Sequence, residues 1–232
     1  MRKNFSEFEE SIGIVFVNKD LLRQAFIHRS YLNENPNEGL EHNERLEFLG
    51  DAVLELIITE FLFIKYPKTP EGELTAYRAA LVNTNSLSES AHVIGMDEFL
   101  LLSKGEEKSI GKARSYILAN AFEALIGALY LDEGYQKAKK LIEKTLFPKI
   151  EIIVTNSLWQ DAKSRFQEKS QEKRGITPVY KVLREEGPDH DKKFTIGIFI
   201  GDELVAEGEG HSKQESEQEA AQLGLEKMGW IS

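Results

Sequence analysis

A row of acidic residues inside an otherwise apolar helix constrains this chain more than any other feature. Residues 42–58 read HNERLEFLGDAVLELII. At 3.6 residues per turn, Glu44, Glu47 and Asp51 fall at i, i+3 and i+7 along one line, which Glu55 extends by a turn. Apolar residues occupy most other positions, a pattern typical of a helix buried on nearly all sides. The sequence therefore predicts a long buried helix that carries a narrow row of carboxylates.

Such a row needs positive charge nearby. Removing an unpaired carboxylate from water costs several kcal/mol or forces its protonation. Arginines such as Arg29, Arg45 or Arg78 could supply the charge, and so could a divalent metal ion. Mg²⁺ prefers a few carboxylates together with water and phosphate oxygens. On the residues alone, a salt-bridged or solvated row and a metal site both remain open.

A second segment, residues 116–130 (YILANAFEALIGALY), has a similar pattern. Its only acidic or amide side chains are Asn120 and Glu123, again at i and i+3. The small residues around them allow another helix to pack closely. We therefore expect two buried helices to bring Glu47, Asp51, Asn120 and Glu123 to one shared point.

Residues 43–51 (NERLEFLGD) resemble the signature of the ribonuclease III family, and residues 117–132 (ILANAFEALIGALYLD) resemble its second acidic helix. The resemblance implies a homodimeric endonuclease for double-stranded RNA that depends on Mg²⁺, with Mn²⁺ able to replace it. It implies staggered cuts that leave 5′-phosphate and 3′-hydroxyl ends, in the processing of rRNA and mRNA. Carried over residue by residue, it assigns metal binding to Glu47, Asp51 and Glu123, catalysis to Asp51 and Glu123, and a supporting role to Glu44 and Glu71. For Glu71, a surface acid that matches the dipole at a helix start is an equally good interpretation.

Asn120 departs from the family pattern, which has Asp at this position. An amide offers a metal one carbonyl oxygen but no negative charge, so we expect weaker metal binding and slower cleavage. An active nuclease and a catalytically impaired double-stranded RNA-binding protein both remain open. A purely scaffolding role is disfavoured because Glu47, Asp51 and Glu123 are present.

Phe48 places a large ring beside the acidic row. In the family this aromatic residue packs into the partner subunit, which makes it a candidate dimer contact. The alternative is an ordinary core phenylalanine.

The hydrophobic pattern changes after residue 153. Strict alternation of Phe194, Ile196, Ile198 and Ile200 predicts a half-buried strand. The whole region predicts, in order, a helix over Trp159–Arg174, strands over Val179–Arg184, 194–200 and Leu204–Glu209, and a helix over Ser212–Met228. We expect Ser212 and Glu215 to form a capping box at the start of that last helix.

This αβββα order, with GPDH at residues 187–190 and GHSKQESEQEAA at 210–221, resembles the double-stranded RNA-binding domain. Such a domain reads the shape of A-form RNA through phosphates and 2′-hydroxyl groups. The resemblance places Gln167, Glu168 and His190 at minor grooves. It places Ser212 and Lys213 at a phosphate, on the free amides of the last helix.

The fold class predicted is α+β, with an all-α endonuclease domain at 1–153, a linker at 154–158 and a small αβββα RNA-binding domain at 159–229. A net charge of −10 opposes general attraction to nucleic acid, so RNA binding must rest on local cations and on metal ions. The absence of cysteine excludes disulfides and thiolate metal sites. The N-terminus lacks a signal-peptide pattern, and no apolar run approaches the ~20 residues of a membrane span. We therefore expect a cytoplasmic protein with no membrane partner.

Overall fold

The computed structural model describes residues 3–36, 39–156, 159, 161–188 and 192–230. The chain divides into two compact units, Met1–Val154 and Thr155–Ser232.

The first unit is helical. Its helices are α1 (Phe5–Ile12), α2 (Lys19–Ala25), α3 (Arg29–Glu34), α4 (Glu44–Lys65), α5 (Glu71–Val82), α6 (Thr84–Val93), α7 (Lys112–Glu133), α8 (Tyr135–Thr145) and α9 (Lys149–Thr155), with short 3₁₀ turns at Met96–Glu98 and Glu106–Lys108. Asn18 caps α2, since its side chain accepts hydrogen bonds from the backbone N–H groups of Asp20 and Leu21. Within the described residues, no helix is both long enough and apolar enough to cross a membrane.

The two acidic helices, α4 and α7, are in backbone contact. A Cβ atom built on Gly50 of α4 would lie 1.8 Å from the carbonyl oxygen of Glu123, and one built on Gly127 of α7 would lie 2.2 Å from that of Leu46. Neither position has room for a side chain. The pair of glycines therefore sets how closely the two helices approach, at the level of the acidic residues.

The prediction that α4 is buried on nearly all sides is wrong. Leu54, Ile57 and other residues on one side of α4 are fully buried. On other sides, Phe48 is 82% exposed and Phe63 72% exposed. The periodicity identified the apolar residues of α4, but it did not distinguish those buried within one chain from those left exposed.

The second unit confirms the predicted αβββα order. It consists of α10 (Ala162–Arg174), β1 (Val179–Glu186), β2 (Lys193–Ile200), β3 (Glu203–Gly210) and α11 (Lys213–Lys227). The strands form an antiparallel sheet in the order β1-β2-β3. The helices cover one face, where Phe166, Ile198, Val205 and Leu225 form the core.

Two local predictions in this unit need correction. The first helix begins at Ala162 and not at Trp159, because Asp161 caps it by accepting from the backbone N–H of Ser164. At α11, Ser212 accepts from the N–H of Glu215 as predicted. The carboxylate of Glu215, however, accepts from the N–H of His211, one residue before the cap, so only half of the capping box forms.

Candidate functional site

Three carboxyl groups lie close enough to affect one another at the crossing of α4 and α7. Burial raises the pKa of Glu123 to about 8, and the negative charges of Asp51 and Glu47 add to the shift. Burial also raises the pKa of Glu47, with further contributions from the charges of Glu44 and Asp51. The structure therefore brings Glu47, Asp51 and Glu123 near enough for their charges to interact, which is less than the single shared point that the two helical patterns predicted.

No cation of the described residues compensates these three acids. Glu47, Asp51 and Glu123 form no ion pair or hydrogen bond with any other side chain that the structure describes. Glu44 differs, because Arg29 Nη1 lies 3.7 Å and His42 Nδ1 3.8 Å from its carboxylate oxygens. Among the acids of this row, the salt-bridge alternative therefore applies to Glu44 alone as far as partners within the described residues are concerned.

The acids do not form a closed metal cage. Across the described ranges, no three His, Asp or Glu side chains converge closely enough to hold a metal ion. The donor chemistry nevertheless fits a hard divalent cation, since every available donor is an oxygen and the local negative charge is uncompensated. Burial, and after it the negative charges of Asp51 and Glu47, raise the pKa of Glu123, as expected where acids lie close together without a cation.

Asn120 lies one turn before Glu123 on α7 and is half-buried between the buried residues Ala119 and Ala121. Within the described part of the chain, its amide makes no hydrogen bond. The Asn120 amide therefore contributes no hydrogen bond to the stability of the described part of the fold.

Glu71, expected to support the acids, lies elsewhere in this chain. It is the first residue of α5 and accepts a hydrogen bond of 3.0 Å from the hydroxyl of Thr75. With Phe63 and Arg78 it lines an open cavity of about 450 Å³. Glu71 is not among the charges that raise the pKa of Glu47 or Glu123, so the structure does not bring it to them.

Phe48 is not a core residue, and that alternative is wrong. Its exposed ring borders a cleft of about 620 Å³ whose walls include Leu21, His42, Leu46 and Leu131. Leucines and charged residues both line this cleft, so the exposed ring of Phe48 adds to a mixed surface that includes apolar area.

In the second unit, Gln167 and Glu168 lie on the exposed side of α10, directly after the buried Phe166. Ser212 caps α11, and the ammonium of Lys213 lies 5.8 Å from the ring centre of Phe194. His190 lies outside the described residues.

Gly50 is a site residue that the sequence patterns did not single out. Gly in a helix interior costs roughly 1 kcal/mol relative to Ala, so a glycine inside the acidic signature needs a structural reason. The backbone contact with Glu123 provides that reason, because it holds the two acidic helices at their closest approach.

Family models match the chain in the order of its two units. A "Ribonuclease-III-like" model matches residues 18–150, and a "Double-stranded RNA binding motif" model matches residues 162–228. The helical unit with its acidic helix pair and the αβββα unit thus define a nuclease domain followed by a double-stranded RNA-binding domain.

Two similar proteins match nearly the whole chain, and not only its separate domains. Ribonuclease 3 of Enterococcus faecalis is 46% identical over 223 residues, which are 96% of each chain. Ribonuclease 3 of Geobacillus kaustophilus is 46% identical over 227 residues, 98% of this chain and 92% of that one. The chain belongs to the ribonuclease III family, which confirms the resemblance carried by residues 43–51 and 117–132.

A solved structure agrees. The nuclease domain of ribonuclease III from Campylobacter jejuni matches with a TM-score of 0.55 and 43% identity, covering 62% of this chain and 99% of that one. That structure is described as flexible in the region involved in dimer formation. The family is generally metal-dependent.

Proposed function

We propose that the chain is a metal-dependent endoribonuclease that cuts both strands of duplex RNA in rRNA and mRNA precursors. The cuts are staggered and leave 5′-phosphate and 3′-hydroxyl ends. Residues 1–153 carry the nuclease activity and residues 159–229 the RNA-binding activity. The observation that supports this most strongly is the uncompensated group of Glu47, Asp51 and Glu123, in which the pKa of Glu123 rises to about 8.

In this proposal, Glu47, Asp51 and Glu123 hold Mg²⁺ or Mn²⁺, and Asn120 offers a neutral carbonyl oxygen. When bound, the metal supplies a water of lowered pKa and stabilises charge on the leaving oxygen. Glu123 keeps its proton near neutral pH in the metal-free chain and must release it to become a ligand. The negative charge of Glu44 raises the pKa of Glu47 and adds to the negative potential that attracts a cation to this group.

The second unit supplies the affinity for duplex RNA. The exposed side of α10, with Gln167 and Glu168, faces a minor groove, and His190 enters a neighbouring one. The free N–H groups at the start of α11, beside Ser212 and Lys213, bind a phosphate.

The active form is a homodimer with one site per subunit. The exposed ring of Phe48 and the leucines of the cleft that it borders support a contact between two copies of this surface. The homologous Campylobacter jejuni nuclease domain, described with a region involved in dimer formation, supports the same assembly.

The second candidate is a duplex-RNA-binding protein with little cleavage activity. Asn120 favours it, because this side chain brings no charge to the group.

One assay separates the two candidates. Long duplex RNA is incubated with the wild-type chain, Asn120→Asp, and Asp51→Asn as the inactive control, in Mg²⁺ and in Mn²⁺. We expect the wild-type chain to cut and Asn120→Asp to cut on the order of ten times faster, which is roughly 1.4 kcal/mol of activation free energy, because the carboxylate adds a charged ligand for the metal. Gln136→Glu, which adds the same charge on the exposed surface of α8, should leave the rate unchanged. No cleavage by the wild-type chain together with restored cleavage by Asn120→Asp would establish the impaired candidate, and no cleavage by either would overturn the nuclease proposal.

A further inference from the structure

Two arginines mark the two ends of the row on α4. The row begins at Glu44 and continues through Asp51 to Thr59 in steps of three or four residues. At the first end, Arg29 Nη1 lies 3.7 Å from the carboxylate of Glu44. At the other end, Arg78 Nη1 donates a hydrogen bond of 2.9 Å to the hydroxyl of Thr59. Each guanidinium group therefore contacts a residue at one end of this row on α4.

The distances of these two contacts from Asp51 along α4 correspond to a few phosphate spacings of one RNA strand. Glu44 precedes Asp51 by seven residues and Thr59 follows it by eight, which gives about 10 and 12 Å along the axis at ~1.5 Å per residue. On the DNA value, one strand of a duplex carries a phosphate roughly every 3.4 Å along its axis. An RNA strand that ran along α4 would therefore have each arginine within a few nucleotides of a phosphate at Asp51.

Both arginines keep donors that a phosphate can use. The side chain of Arg29 is 73% exposed, and exposed ion pairs are worth only about 0–1 kcal/mol. A phosphate oxygen can therefore replace or share the Glu44 contact. Arg78 uses one donor on Thr59 and has four more. Its side chain also lines the open cavity shared with Phe63 and is not enclosed.

The negative charge of the chain favours such contacts. At −10 overall, with uncompensated carboxylates at its centre, this surface repels RNA unless cations flank the acids. Arginine suits the task because its planar guanidinium can bind a phosphate in bidentate fashion.

We propose that Arg29 and Arg78 are positioning residues, each binding a backbone phosphate on one side of the phosphate that is cut. This inference rests on the proposed function. It adds two phosphate contacts to the nuclease domain, independent of those expected from the second unit.

The test is the salt dependence of duplex RNA cleavage by the full chain in Mg²⁺, measured for Arg29→Ala and Arg78→Ala. We expect each variant to raise KM several-fold and to leave kcat within about twofold. We also expect each to reduce the slope of log(kcat/KM) against log[salt] by about one, as for the loss of one phosphate contact. Arg29→Lys and Arg78→Lys keep the charge and should restore the slope.

Lys140→Ala is the matched control, because Lys140 is exposed on α8 and forms no ion pair within the described part of the chain. Its slope should equal that of the wild-type chain. An unchanged slope in both arginine variants would overturn the inference, and so would a raised KM that follows only a lowered melting temperature. If the wild-type chain cuts no RNA, the proposed function fails. The slopes are then taken from equilibrium binding of the same RNA, which still decides the role of the arginines.

Discussion

At the scale of single residues, the carboxyl group of Glu123 distinguishes this site from an ordinary acidic surface. Burial and the charges of Asp51 and Glu47 raise its pKa from 4.5 to about 8. The sequence could predict that these residues share a surface, because helical spacing places them on facing helices. It could not predict that Arg29 would pair with Glu44, because the position of α3 depends on the folded loops.

The raised pKa of Glu123 makes stability depend on pH. The folded chain holds the extra proton between pH 4.5 and about 8, so this contribution to the free energy of unfolding is complete below pH 4.5 and is lost as the pH rises through 8. We expect Glu123→Gln to stabilise the metal-free chain at pH 9 by about 1–3 kcal/mol, a value discounted for partial solvent screening. At pH 4 the gain should vanish.

Urea denaturation at both pH values checks this expectation. Glu55→Gln, an exposed change on the facing helix α4, should be nearly neutral at both. Equal effects of Glu123→Gln at pH 4 and pH 9 would show that Glu123 is not electrostatically strained.

At the scale of secondary-structure elements, the contact between α4 and α7 holds the site together. β1 and β3 have no strict alternation, and β1 is exposed along nearly its whole length. Periodicity predicted both helices and, by strict alternation, β2. It did not predict the start of α10, which depends on the side chain of Asp161. Nor did it place Glu71, because the turn between α4 and α5 directs that residue towards Thr75 and Arg78.

Replacing Gly50 by alanine adds a methyl group and tests whether the contact between α4 and α7 holds the site together. We expect Gly50→Ala to destabilise the chain by about 2–4 kcal/mol, because its Cβ would overlap the backbone of Glu123 and overpacking of this kind is costly. We expect cleavage to fall as well, since α7 must shift. Gly72→Ala is the matched control, because Gly72 lies in α5 with open space around it. That variant should be neutral or slightly more stable. Equal melting temperatures for the two variants in calorimetry would contradict a tight contact.

At the scale of the whole molecule, apolar surface on the first unit remains uncovered within one chain. Phe48 and Phe63 on α4 are largely exposed, although the sequence pattern resembles that of a buried helix. A single sequence reports how apolar a face is, but it does not distinguish a core from a surface that a second copy covers.

Replacing Phe48 tests the homodimer. We expect Phe48→Glu to shift the chain from dimer to monomer in sedimentation equilibrium and to lower cleavage, because a charge would enter an apolar contact. Val93→Glu, at an exposed position on α6, should leave the dimer intact. A Phe48→Glu chain that remains as dimeric as the wild type would contradict the proposed contact.

The most direct test of the acidic group as a cation site is proton release on Mg²⁺ binding, measured by titration calorimetry in buffers of different ionisation enthalpy. With a pKa of about 8, Glu123 is mostly protonated at pH 7 and must lose that proton to bind metal. We expect close to one proton released per site at pH 7, almost none at pH 9.5, and none in Glu123→Gln, which should also bind more weakly. Metal binding without proton release at pH 7, or with equal release by Glu123→Gln, would contradict a site built on Glu47, Asp51 and Glu123.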